Sequence, residues 1–220
     1  MPIPSKYLAE FSESCIYHIY NRTNNREALF LTPENYLFFL RKYDDYMHGV
    51  LDTFCWSLLP NHFHFLVRIK TEQDIYKYIE SKEYRHQTPS EKLFLDKKLL
   101  FSELIERAFK RFFQSYSMAF NKQYDRKGNL FYKPFKRVAV DKDSQFTQAV
   151  IYVHANPLKH QLVKDFTLYK WSSWQSVLSE MPTRLLRNEL LDWFGGKKQF
   201  IRTHNNLSQY YYSSDTAIED

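Results

Sequence analysis

"LPNHFHFLVRI", residues Leu59 to Ile69, opens with a turn pair, Pro60-Asn61, and continues as a run of strand composition. Side chains on a strand alternate between faces. Phe63, Phe65, Val67 and Ile69 therefore share one uniformly apolar face, which belongs to a core. His62, His64, Leu66 and Arg68 share the other, so two imidazoles project together on the side that the core does not need. The run before the turn, "VLDTFCWSLLP", also has strand composition, and the tight connection predicts an antiparallel pair. Spacing alone leaves two readings of the histidines open. They are either a partly solvated strand face, or two of the ligands of a divalent ion, for which neutral imidazole nitrogen is a common donor.

Working outward, "CIYHIYNRT" (Cys15 to Thr23) reads as an earlier strand. "TPENYLFFLRKYDDYMHG" reads as a helix, with Thr32 as N-cap, Pro33 in the first turn, Phe39, Tyr43 and Met47 at helical spacing, and Gly49 as the stop. Residues 71–98 are polar and charged and read as an insertion with one short helix around Ile75 to Ile79, "RHQTPSEK" being a loop. "FSELIERAFKRFFQSYSMAFNKQY" is an amphipathic helix whose stripe is Ile105, Phe109, Phe112, Tyr116 and Ala119. "DRKGN" is a turn, "FKRVAV" a short strand, and "DSQFTQAVIYVHANPLKH" a helix starting after Asp143 or Ser144. Beyond it come "YKWSSW", a helix across Leu185 to Phe194 stopped by Gly195-Gly196, and a polar tail expected to fray. The order β-α-β-β-α-β-α predicts an α+β fold, a ferredoxin-like sandwich with a mainly antiparallel sheet of four or five strands and helices packed on one face. The expected division is one domain over residues 1–180, carrying the 71–98 insertion, and a helical extension and tail over 181–220.

Four glycines, at Gly49, Gly128, Gly195 and Gly196, leave neither a dinucleotide-binding turn nor a P-loop, so no nucleotide cofactor is expected. The net charge of +6 and pI of about 9.1 suit a polyanionic partner. Cys15 and Cys55 are too few for a disulfide framework or a cysteine-rich zinc site. No apolar run approaches the roughly 20 residues of a membrane span, and "MPIPSKYLAE" lacks the apolar segment of a signal peptide. A cytoplasmic protein without a membrane partner is expected.

In the "DSQFTQAVIYVHANPLKH" helix, Phe146, Ala149, Val150 and Val153 form the buried stripe. Gln148, Tyr152, Asn156 and Lys159 fall on an adjacent polar flank, because residues four apart stack on one face. Tyr152 reads either as an amphipathic side chain with a wet tip or as a reactive hydroxyl. Asn156 reads as a helix end, since Pro157 follows, or as a carbonyl donor to a hard cation, or as both. The segment "NKQYDRKGNLFYKPFKR" interleaves Lys122, Arg126, Lys127, Lys133, Lys136 and Arg137 with Tyr124, Phe131, Tyr132 and Phe135. Such a mixture is either a solvated turn beside core aromatics or a DNA surface, where cations neutralise phosphates and rings stack on unpaired bases. Phe131 and Phe135 read as core.

These pieces resemble a known family. "LPNHFHFLV" resembles the His-hydrophobic-His signature of the HUH single-strand nucleases, and "YVHANPLKH" resembles the catalytic helix of the single-tyrosine transposases. Within that group the chain is most similar to the REP-associated tyrosine transposases, and "YHIYNRT", "FNKQYDRKGNLFYKPFKRV" and "YKWSSW" fit the same ordered pattern from about Ile16 to about Trp174. It departs at Thr23, where many members have glycine, and in the longer insertion. The resemblance implies an HUH nuclease fold with Tyr152 as nucleophile, attacking a backbone phosphate of single-stranded DNA to give a 5′-phosphotyrosine and a free 3′-hydroxyl. It implies one Mg²⁺ or Mn²⁺ held by His62, His64 and Asn156. Zinc ranks second, since structural zinc ordinarily takes four protein ligands whereas amide and phosphate oxygens suit harder ions. It also implies single-stranded or hairpin DNA as partner, read with a flanking guide tetranucleotide, by a monomer or homodimer. Arg68 and Lys159 join the six basic residues above as candidate DNA contacts. The general base is not identified; His18, Gln148, His154 and Lys159 lie nearby. A replication-initiator nuclease and a binding-only regulator remain as alternatives.

Overall fold

The computed structural model describes residues 7–213; residues 1–6 and 214–220, the end of the tail expected to fray among them, lie outside that range. The elements are β1 (Ile16–Arg22), α1 (Pro33–Met47), β2 (Leu51–Leu59), β3 (His62–Ile69), α2 (Glu72–Glu80), α3 (Pro89–Leu95) and α4 (Phe101–Gln123). They continue with β4 (Lys136–Ala139), α5 (Asp143–Lys159), α6 (Trp174–Leu178), α7 (Arg187–Trp193) and α8 (Lys197–Ser213). The strands form a four-stranded sheet in the order β2-β3-β1-β4, each neighbouring pair antiparallel. This is the α+β, ferredoxin-like arrangement expected from the order of motifs.

The apolar face of β3 is covered by α1 and α4. Tyr43 of α1 stacks on Phe65 with centroids 4.0 Å apart, and Phe39 packs on both Phe63 and Phe112. The start of α1 is fixed by Asn35, whose side-chain oxygen accepts from the backbone N–H of Leu31 and Thr32 at 3.0 and 3.3 Å.

Helices cover both faces of the sheet, not one. The histidine face carries a second core in which Phe54, Cys55 and Leu66 meet Phe146, Val150 and Val153 of α5. A register shift in β2 between Thr53 and Cys55 makes this possible. Thr53 turns its hydroxyl to Tyr43 at 2.8 Å on the α1 side, while Phe54 and Cys55 both enter the α5 core.

Three further expectations change. The 71–98 insertion holds two helices, because the second half of "RHQTPSEK" starts α3. Pro89 occupies the first turn, and Thr88 and Glu91 exchange side-chain-to-backbone hydrogen bonds at 2.7 and 3.3 Å. The helix α5 does not end at Asn156; it continues through Pro157 to Lys159, and the His160 N–H closes on the Asn156 carbonyl at 3.0 Å. The polar tail continues as a helix as far as Ser213. Gly195 and Gly196, at φ of 78° and 101°, turn the chain after α7, and α8 then packs on α5 through Phe200 and His204. Among the described residues no helix is long and apolar enough to cross a membrane.

Candidate active site

Strand register assembles the floor of the site. Opposite His64 stand Tyr20 of β1 and Ser57 of β2; opposite His62 stands Arg22; opposite Tyr20 stands Lys136 of β4. His18, two residues before Tyr20, shares their face. Over this floor lies α5. The Tyr152 ring presents its edge-on packing to His64 at 5.6 Å and to His18 at 5.8 Å between centroids. One turn on, the Asn156 side-chain oxygen lies 3.3 Å from His62 Nε2. His160, a further turn along, packs against the His62 ring at 4.6 Å, and the Lys159 ammonium lies 5.3 Å from the centre of the Tyr152 ring.

The site is more enclosed than the sequence suggests. Tyr152 is 1% exposed, Asn156 0% and His64 1%, so the tyrosine has no wet tip and His64 is buried, while His62 and Arg68 on the same face keep partial exposure. The cause is the seating of α5, whose apolar stripe closes on Leu66 and Cys55 and carries its polar flank down with it.

Hydrogen bonding around His62 identifies what the floor can hold. Its Nδ1 is 2.7 Å from the side-chain oxygen of Asn61, and its Nε2 faces the Asn156 oxygen. Both partners are acceptors, and a neutral imidazole has one N–H. With that proton directed at Asn61, the Nε2 lone pair and an amide oxygen converge, an arrangement that suits a cation. Among the described residues no three His, Cys, Asp or Glu side chains are grouped to hold a metal ion. A metal held by His62 and His64 would need an oxygen donor such as the Asn156 amide as third protein ligand, and two imidazoles with one amide oxygen are a donor set that fits a hard divalent ion.

The expected DNA contacts divide by position. Lys136 and Lys159 stand at the site, Lys136 lying 5.5 Å from the Tyr20 ring. Arg68 instead clamps the Glu189 carboxylate through two bonds of 2.6 and 3.0 Å, tying α7 to β3. Arg126 bonds Glu27 at 2.6 Å and the carbonyls of Gly128 and Asn129 at 3.2 Å each, holding its own turn. Arg137 is buried, its guanidinium on the Ala9 carbonyl at 2.5 Å and on Glu106. Lys133 reaches the Asn129 side chain at 3.2 Å, and Lys122 sits exposed in the last turn of α4. Lys127 lines an open polar cavity of about 650 Å³ together with Arg22, Arg26 and Tyr132. Tyr132 is 45% exposed, whereas Phe131 and Phe135 are core residues.

Sequence reasoning did not place Tyr20, Arg22 or His160 at the site, and it named His18 only as a nearby base. The signal was present: "YHIYNR" puts His18, Tyr20 and Arg22 on one face by the same alternation that pairs His62 with His64, and His160 follows Asn156 at helical spacing.

No protein-family model matches the chain, and no curated protein matches it. Among solved structures, the chain is similar in fold to a REP-associated tyrosine transposase bound to a REP hairpin, with a TM-score of 0.55 and 16% identity over 81% of this chain and 89% of that one. At that identity the likeness is one of fold.

Proposed function

We propose that this protein is a metal-dependent single-stranded DNA endonuclease and strand transferase, acting at hairpin sequences through a 5′-phosphotyrosine intermediate. The observation that carries the reading is the meeting of Tyr152 with His64 and of Asn156 with His62, residues drawn from one helix and one strand. The fold likeness to a hairpin-bound transposase and the net charge of +6 support it.

In this reading the Tyr152 oxygen attacks a backbone phosphorus. The bond from phosphorus to the 3′ oxygen breaks, the tyrosine keeps the 5′ phosphate, and a 3′-hydroxyl is released. Return attack by a 3′-hydroxyl rejoins DNA without ATP, in keeping with a chain that has no P-loop. The Lys159 ammonium, 5.3 Å from the centre of the Tyr152 ring, offsets negative charge that develops during the attack. His62, His64 and Asn156 would hold Mg²⁺ or Mn²⁺, which when bound polarises the scissile phosphate and offsets its developing charge. Lys136 and Lys159 then neutralise the flanking phosphates.

The test is incubation of the protein with labelled hairpin oligonucleotides and Mg²⁺ or Mn²⁺, followed by denaturing electrophoresis. A denaturation-resistant protein–DNA adduct is expected from the wild type and none from Tyr152→Phe. His64→Ala is expected to lose cleavage while largely retaining hairpin binding in a gel-shift assay. A wild type that binds hairpins and forms no adduct on any of them would make this a binding protein.

A further inference from the structure

His18 Nε2 lies 2.9 Å from His64 Nδ1, with both rings buried and within 18° of coplanar. The contact is diagonal across the β1–β3 ladder, since His18 stands opposite Leu66 and His64 opposite Tyr20. His18 is itself held, with Tyr20 stacked at 4.9 Å and the Tyr152 edge at 5.8 Å. A single proton serves this contact, and its location decides what His64 can do. If His18 donates, a neutral His64 carries its proton on Nε2 and has no lone pair there to give. If His64 Nδ1 donates to His18, the Nε2 lone pair of His64 is available.

From this geometry we infer that His18 is a positioning residue for the metal site: it accepts the Nδ1 proton of His64, fixes that tautomer and aligns His64 Nε2 as the ligand atom. The inference rests on the reading of His62, His64 and Asn156 as metal ligands. It makes the two strand histidines equivalent in design, since His62 is fixed in the same sense by the Asn61 side-chain oxygen at its Nδ1. Outer partners of this kind orient a ligand imidazole and raise its basicity, and losing one costs about 10–100-fold in metal affinity.

Two substitutions separate positioning from space filling. His18→Gln keeps an acceptor at the reach of Nε2, whereas His18→Phe fills the space with none. With the full chain and Mn²⁺ alone in a calorimeter, His18→Phe should bind about 10–100-fold more weakly than wild type. His18→Gln should stay close to wild type, and circular dichroism should show both variants folded. Histidine tautomers read by NMR in the metal-free wild type should place the His64 proton on Nδ1. A proton found on Nε2, or His18→Phe binding Mn²⁺ as tightly as wild type, overturns the inference. A wild type that fails to bind Mn²⁺ removes the metal reading itself, and the adduct assay with Tyr152→Phe still judges the nucleophile separately.

Discussion

A basic side chain contributes to a DNA surface only if its charge is available there, and Arg137 shows how composition misleads on this point. Strand alternation sends Lys136 and Arg137 to opposite faces of β4, Lys136 toward the tyrosine and histidines, Arg137 into a buried pairing with Glu106 and the Ala9 carbonyl. Removing Arg137 strands a carboxylate and a carbonyl. Arg137→Ala is therefore expected to lower unfolding free energy in urea by about 2–3 kcal/mol while leaving hairpin affinity near wild type. A large loss of affinity at unchanged stability would return Arg137 to the DNA surface. The alternation behind this distinction was legible as soon as "FKRVAV" was read as a strand. What could not be read was the acidic partner, because Glu106 lies on α4, 31 residues earlier. The same holds for Arg68 and Glu189, which are 121 residues apart.

At the scale of the element, α5 works from two sides. Tyr152 and Asn156 face the sheet, and His154 points the other way, toward α8. There a directed chain of hydrogen bonds fits two neutral rings. The Trp56 N–H donates to Ser173 Oγ at 2.9 Å, and the Ser173 hydroxyl donates to His154 Nε2 at 2.9 Å. His154 Nδ1 donates to His204 Nε2 at 3.1 Å, and His204 Nδ1 to the Phe200 carbonyl at 2.8 Å. Burial pushes His154 well below the ordinary imidazole range and His204 down to about 4. The folded pKa thus lies below the unfolded one, so the unfolded chain binds more protons between them. Stability is full above about pH 6.5 and falls as pH drops toward 4, by on the order of 3 kcal/mol for His204 alone. Urea unfolding followed by tryptophan fluorescence between about pH 7 and pH 4 should show this loss, and His204→Leu should lower its slope, His154 supplying the remainder. An equal slope in the variant would remove His204 as the cause. Little in the sequence pointed to α8, because Phe200, His204 and Ser208 make too narrow a buried stripe in an otherwise polar run.

At the scale of the molecule, the two faces of one sheet divide the labour. The insertion helices α2 and α3 add Ile75, Ile79 and Phe94 to the core shared with α1 and α4, on the face away from the histidines. The elements after β4 build the other face, α5 supplying the candidate nucleophile and α6, α7 and α8 backing it. Residues 71–98 therefore thicken the scaffold opposite the candidate site.

By itself the sequence determined which side chains share a face: Phe63 with Phe65, His62 with His64, Tyr152 with Asn156. Those relations follow from backbone periods of 2.0 and 3.6 residues, which are local and hold wherever the element lies. Only the tertiary structure decided that His64 is buried and that Asn156 meets His62 across 94 residues. Those outcomes depend on how α5 seats on Phe54, Cys55 and Leu66, a packing of surfaces from distant segments that no local period encodes.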